Sequence, residues 1–255
     1  MWRHLGSSIR GAAHEADGSP CQDSHLVRLL GEGASSALVA CVADGAGSSK
    51  YSNEGSAIVC GAIEENTNTY YKEHGGFDKL CREDVIKWCD DARDQIEIEC
   101  ALRDCGSREF ASTLCVAILS SNKSYFFQIG DGAITLGSGG AYGVVFWPQS
   151  GEYANSTNFI TAKKYSDHLE FVEVPSSFSE VALFTDGIER LALLFDSQTP
   201  HPPFFEPLFR TLEVTEDFEK LSKDLGQFLM SESVKSRSDD DKSLILASRS
   251  TEGEA

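Results

Sequence analysis

ALVACVADGAG, residues 37–47, decides the fold of this 255-residue chain. An uncharged apolar run from Ala37 to Ala43 stops at Asp44. A strand with one wet face alternates apolar and polar side chains, and this run does not, so it predicts a strand covered on both faces. Three further segments share the pattern: IGDG at 129–132, FTDG at 184–187, and DDDK at 239–242 ahead of SLIL at 243–246. Each sets a carboxylate at or beside the end of an apolar run, where several strands can converge on one hard divalent cation. A lone Asp-Gly pair makes an ordinary turn. Carboxylates gathered at strand ends repel one another unless a cation neutralises them, which points to a metal centre with hydrolytic chemistry.

Outward from this strand, residues 53–71 carry Ala57, Ile58, Ala62 and Ile63 without a proline and predict a helix. Val85, Trp88, Cys89, Ala92 and Ile96 recur at three- and four-residue steps and predict another. Strands are expected over 112–119, 125–129, 142–147 and 181–185, and a short helix over 188–195. The prolines of TPHPPFFEP, 199–207, predict a surface loop. Phe218, Leu221, Leu225, Phe228 and Leu229 mark an amphipathic helix, and 243–247 a last strand. Such an order fits packed sheets covered by helices better than a regular βαβ array. With 41% hydrophobic residues, residues 1–255 are expected to form one domain.

Forty acidic residues against 22 basic ones leave a formal charge of −18, which opposes nucleic acid and anionic membranes as partners and favours cations. No apolar stretch is long enough to span a bilayer, and residues 1–18 lack the apolar segment of a signal peptide, so a cytoplasmic protein is expected. The 8 cysteines include no CxxC pair; Cys81/Cys89 and Cys100/Cys105 are the close pairs. In that compartment they are expected to be reduced thiols rather than disulfides or a zinc site.

CQD at 21–23, VADGAG at 42–47, FASTL at 110–114, IGDG, FTDGIERL at 184–191 and DDDKSLIL resemble, in order and spacing, the metal-dependent protein phosphatases, the type 2C serine/threonine phosphatases. The resemblance spans nearly the whole chain. It is closest to the compact bacterial branch, on the strength of PCQD at 20–23, GEYAN at 151–155 and FTDGI at 184–188. It implies an α+β fold, a four-layer α-β-β-α sandwich of two mainly antiparallel sheets flanked by helices. It also implies hydrolysis of phosphoserine and phosphothreonine by a water or hydroxide bridging two Mg2+ or Mn2+ ions. In this likeness Asp44 bridges the two ions and the Gly45 carbonyl completes the second ion's shell. Asp186 and Asp240 bind the first ion; Asp240, three positions before Ser243, is preferred over its neighbours Asp239 and Asp241. Asp23 holds metal-bound water, Asp131 with Asp186 supplies a third ion, and Thr113 matches a small hydroxyl position beside the site. The implied partners are phosphorylated proteins and a cognate kinase, with a monomeric enzyme expected.

Two features depart from the family pattern. Ala46 stands where many members place a histidine that protonates the leaving group, and residues 11–23 lack the arginine that grips phosphate. His14, near that arginine's place, is expected to contact phosphate or donate a proton. Three functions therefore stay open: a protein phosphatase, a catalytically weak module that binds phosphoproteins, and a hydrolase of small phosphate esters. No GxxxxGK[ST] loop favours the last. Residues 147–161 and 199–207 are expected to shape substrate choice, with Glu152 and Asn155 lining the cleft or serving as caps and turns.

Overall fold

The computed structural model describes residues 2–149 and 157–249; Glu152 and Asn155 lie outside them. Strand β3, Ala37–Ala43, is buried along its whole length. It pairs antiparallel with β2 (Ser24–Leu30) and β4 (Leu114–Leu119), and β5 (Lys123–Ile129) and β8 (Glu170–Pro175) complete a sheet of order β2-β3-β4-β5-β8. A second antiparallel sheet has the order β1-β12-β9-β6-β7, from Trp2–Ile9, Lys242–Arg249, Glu180–Phe184, Ala133–Ser138 and Ala141–Phe146. A small ribbon joins β10 (Leu193–Leu194) to β11 (Thr199–Pro200).

Alternate side chains of β3 enter different cores, which explains the unbroken apolar run. Leu38, Ala40 and Val42 pack between the sheets with Ala117 and Phe126 and with Leu183 and Ile245 of the second sheet. Val39, Cys41 and Ala43 pack outward with Val59 and Ile63 of α2 (Ser52–His74) and Val85 and Ile96 of α3 (Arg82–Arg103). On the opposite outer face, Phe184, Leu244 and Leu246 meet helices α5 (Asp186–Ala192), α6 (Pro202–Val214) and α7 (Phe218–Leu229). The result is the expected four-layer sandwich. Three short helices complete it: α1 (Ala12–Asp17), α4 (Tyr165–His168) and α8 (Glu232–Lys235). Among the described residues no helix is long and apolar enough to cross a membrane.

The loop expected over 199–207 is instead β11 followed by the start of α6. Pro202 and Pro203 occupy the helix's first positions, where a missing N–H breaks no intrahelical bond. Pro207 costs about 3 kcal/mol inside the helix. Full burial of Phe205 and Phe209 contributes about 1.5–3 kcal/mol each and outweighs it. The short helix expected over 188–195 begins earlier, at Asp186, with Thr185 as its cap residue, and ends at Ala192.

Candidate active site

Antiparallel register gathers the acidic strand ends. Ser24 pairs with Ala43, so one step further Asp23 stands opposite Asp44. In the second sheet Ala133 and Leu244 both pair with Phe184. Two steps beyond Ala133 and Phe184 lie Asp131 and Asp186, while β12 begins just after Asp240 and Asp241. Asp131 sits in the turn from β5 to β6, the link that crosses from one sheet to the other. Both sheets therefore deliver carboxylates to one rim. One carboxylate oxygen from each of Asp44, Asp131 and Asp186 lies within 4.8 Å of the other two.

The backbone around these acids is clamped. Asp44 N–H donates to Thr113 Oγ1 at 3.0 Å, and Thr113 N–H donates to the Asp44 carbonyl at 2.8 Å. The buried hydroxyl of Thr113 is thus turned to the Asp44 backbone. Thr185 Oγ1 donates to Asp23 Oδ2 at 2.7 Å and accepts from Ser243 N–H at 2.9 Å, tying three acidic segments through one hydroxyl. Thr157 donates to Asp131 Oδ2. The glycine beside Asp44 is required by close approach: a Cβ on Gly45 would meet the Ser52 carbonyl oxygen at 2.5 Å. On Gly187 it would meet the Asp241 carbonyl oxygen at 1.9 Å.

Burial, with the charges of Asp23, Asp186 and Asp131 added, holds Asp44 well above the usual carboxylate range. Burial pushes Asp23 up to about 7, against hydrogen bonds that favour its charged form. Asp186 is pushed up to about 8 by burial and then by Asp131, Asp240 and Asp23. Burial also raises Asp131 and Glu189. Asp23 Oδ1 and Asp131 Oδ1 are buried with no hydrogen-bond partner among the described residues. Acceptor-only oxygens crowded in this way fit a hard divalent cation, or water held by one.

The three consecutive aspartates have different placements. Asp240 is exposed, accepts the Asp241 N–H at 2.8 Å, and lines a cavity of about 230 Å³ with Asp186, Glu189, Arg190 and Arg237. Asp239 is exposed and its carbonyl accepts from Ala13 N–H at 3.0 Å. Asp241 is buried: Oδ1 accepts from Gly11 N–H at 2.6 Å and Oδ2 from Gln22 N–H at 2.5 Å. His14 Nδ1 lies 2.9 Å from the same Oδ1. Ala46 is buried, and its N–H donates to Ala111 O at 2.9 Å.

Three contributors escape a reading of the sequence. Glu189 sits one turn past Asp186, a spacing visible in FTDGIER. Thr185 directly precedes that aspartate, whereas the role of Asp241 depends on a loop more than 200 residues earlier and leaves no local signal.

Fold and site define a metal-dependent phosphohydrolase, and the comparisons agree. The protein phosphatase 2C family model matches residues 10–230. Serine/threonine-protein phosphatase 3 of Escherichia coli (strain K12) is 35% identical over 251 residues, covering 96% of this chain and 98% of that one. Stp1, a serine/threonine phosphatase from Staphylococcus aureus, superposes with a TM-score of 0.67 at 12% identity, over 98% of this chain and 96% of that one. The catalytic domain of the serine/threonine phosphatase PstP, solved with two manganese ions, gives a TM-score of 0.62 at 13% identity over 97% of each chain. The chain belongs to the protein phosphatase 2C family. It is a metal-dependent serine/threonine protein phosphatase.

Proposed function

We propose that residues 1–255 act as one catalytic domain, a cytoplasmic monomer that dephosphorylates phosphoserine and phosphothreonine in proteins, including a cognate kinase and its substrates. Two Mg2+ or Mn2+ ions are assigned to the rim where Asp44, Asp131 and Asp186 meet. The observation that carries this assignment is the approach of those three carboxylates, together with the unpartnered oxygens of Asp23 and Asp131. The ions bound to the PstP domain support the count. Asp44 is assigned to both ions, Asp186 and Asp240 to the first, and the Gly45 carbonyl to the second. Asp131 with Asp186 is assigned to a third.

When bound, the cations supply water activation and neutralise phosphoryl charge. The chain's own residues set the geometry. Thr113 holds the Asp44 backbone, and Thr185 holds Asp23 through Oδ2, leaving the buried Oδ1 without a hydrogen-bond partner among the described residues and assigned to hold metal-bound water. Ala46 offers no proton to the leaving oxygen, so a water held at the site is assigned that role. His14, engaged by Asp241, is assigned to positioning the 11–23 segment over the site. Phosphate release from a phosphothreonine peptide tests the reading. Manganese-dependent release in the wild type and its loss in Asp44→Asn support it; no release despite bound metal would leave a phosphoprotein-binding module instead.

A further inference from the structure

Beside Ala46 lies a cavity of about 370 Å³ that the proposed chemistry does not use. Its walls include Ala111 and Phe159, and two cationic side chains, Arg108 and Lys163, reach into its lining. The distance to the acidic rim is short, because Ala46 follows Asp44 by two residues and their Cα atoms are at most about 7.6 Å apart. Gly45 bridges to Ser112 and Ala46 donates to Ala111, so this wall belongs to the backbone strip that places Asp44.

Both cationic sides are pinned through the main chain. The Arg108 carbonyl accepts the Ser49 hydroxyl at 2.8 Å, fixing the turn Ser107–Phe110. Arg93 Nη1 donates to the Ile160 and Ala162 carbonyls at 2.6 and 2.9 Å, fixing the approach of Lys163. Arg108 and Lys163 are exposed, and neither forms an ion pair among the described residues. In a chain with 40 acidic and 22 basic residues, two cations without an ion pair over one cavity favour an anion there.

We propose that this cavity is a substrate subsite for an anionic side chain, carboxylate or phosphate, that flanks the residue being dephosphorylated. It rests on the phosphatase reading above. An extended peptide advances about 3.3 Å per residue, so a side chain one or two positions from the scissile phosphate spans the gap from Asp44 to the cavity.

The test compares phosphothreonine peptides flanked on both sides by alanine, glutamate, phosphoserine or lysine, at low and high salt. Wild type is expected to favour glutamate- or phosphoserine-flanked peptide over alanine-flanked peptide by about fivefold in kcat/KM, less at high salt. The ratio of the two anionic peptides shows which anion is preferred. In Arg108→Gln/Lys163→Gln the ratio of anionic to alanine-flanked peptide falls to about one, and in Arg108→Glu/Lys163→Glu lysine-flanked peptide becomes the better substrate. An unchanged ratio in both double variants, or an equal loss on every peptide, overturns the subsite while the phosphatase reading stands. Failure of wild type to release phosphate from any peptide overturns the phosphatase reading and the subsite with it.

Discussion

Asp241 fastens the 11–23 segment, α1 and the turn after it, to the mouth of the last strand through His14, whose Nδ1 lies 2.9 Å from Asp241 Oδ1. The same carboxylate takes the Gly11 and Gln22 amides, and Gln22 precedes Asp23. The pair therefore places an acidic rim residue without belonging to the rim.

His14→Ala is expected to lower stability by about 1 kcal/mol, the scale of a close ion pair that is not fully buried. Burial pulls the His14 pKa down, but the hydrogen bond and charge of Asp241, with Asp240 and Asp17, outweigh it and raise the pKa above its ordinary value. A histidine raised in the folded state contributes fully below its unfolded pKa of about 6.5 and loses that contribution as pH rises through the folded value. Urea unfolding should show a larger gap between wild type and variant at pH 5.5 than at pH 9. A gap independent of pH would separate His14 from Asp241.

Gly187→Ala probes the approach of α5 to the acidic turn. Its Cβ would meet the Asp241 carbonyl oxygen at 1.9 Å, a contact that only a backbone shift relieves. A loss of about 1–3 kcal/mol in denaturant unfolding is expected. Because the shift displaces the neighbouring Asp186, cation affinity measured by calorimetry should fall as well.

Without a cation the crowded carboxylates oppose folding at high pH. Burial first, and mutual repulsion next, raise Asp44 and Asp186 above their unfolded values. Groups raised in this way stabilise the fold below the ordinary carboxylate value of about 4 and lose that contribution as pH climbs through the folded values. Those are about 7 for Asp23 and about 8 for Asp186. Thermal melts in chelator should therefore fall between pH 5 and 9, and manganese should restore them. Asp44→Asn is expected to melt higher than wild type in chelator at pH 8, to gain less from manganese, and to lose at least about a hundredfold in kcat. A lower melt in chelator would contradict the repulsion.

Thr185→Val removes the hydroxyl that joins Asp23 to the Ser243 amide. Leaving those buried groups unpaired should cost about 1–3 kcal/mol. Manganese affinity should drop about 10–100-fold, the usual effect of losing a partner that orients a ligand. Thr185→Ser should retain most of both.

Most inner strands were legible because burial on two faces leaves an unbroken apolar signature, as in 37–43, and the edge strand β7 was expected over 142–147. The inner strand β6 and the edge strands β1, β2 and β8 were not. WRHLGSSI in β1 and EFVEVP in β8 are only partly buried and keep polar residues that blur a period of two. The start of α6 was hidden by prolines that suit a first turn as well as a loop. The acidic rim could be recognised segment by segment, since each aspartate ends a strand or opens the next element. Which acids meet depends on register: Asp23 opposite Asp44 follows from Ser24 pairing with Ala43, a long-range fact with no local trace. The separate roles of Asp240 and Asp241 depend on the loop packed over them, where a Cβ on Gly11 would meet the Asp239 carbonyl oxygen at 2.4 Å.

The central claim is that the rim formed by Asp44, Asp131 and Asp186 is the cation centre, and anomalous scattering from crystals soaked in manganese tests it most directly. The account predicts at least two anomalous peaks there, each about 2.0–2.6 Å from a carboxylate oxygen, with Asp44 touching two of them. A fully occupied manganese site elsewhere, with no peak between these three carboxylates, would contradict it.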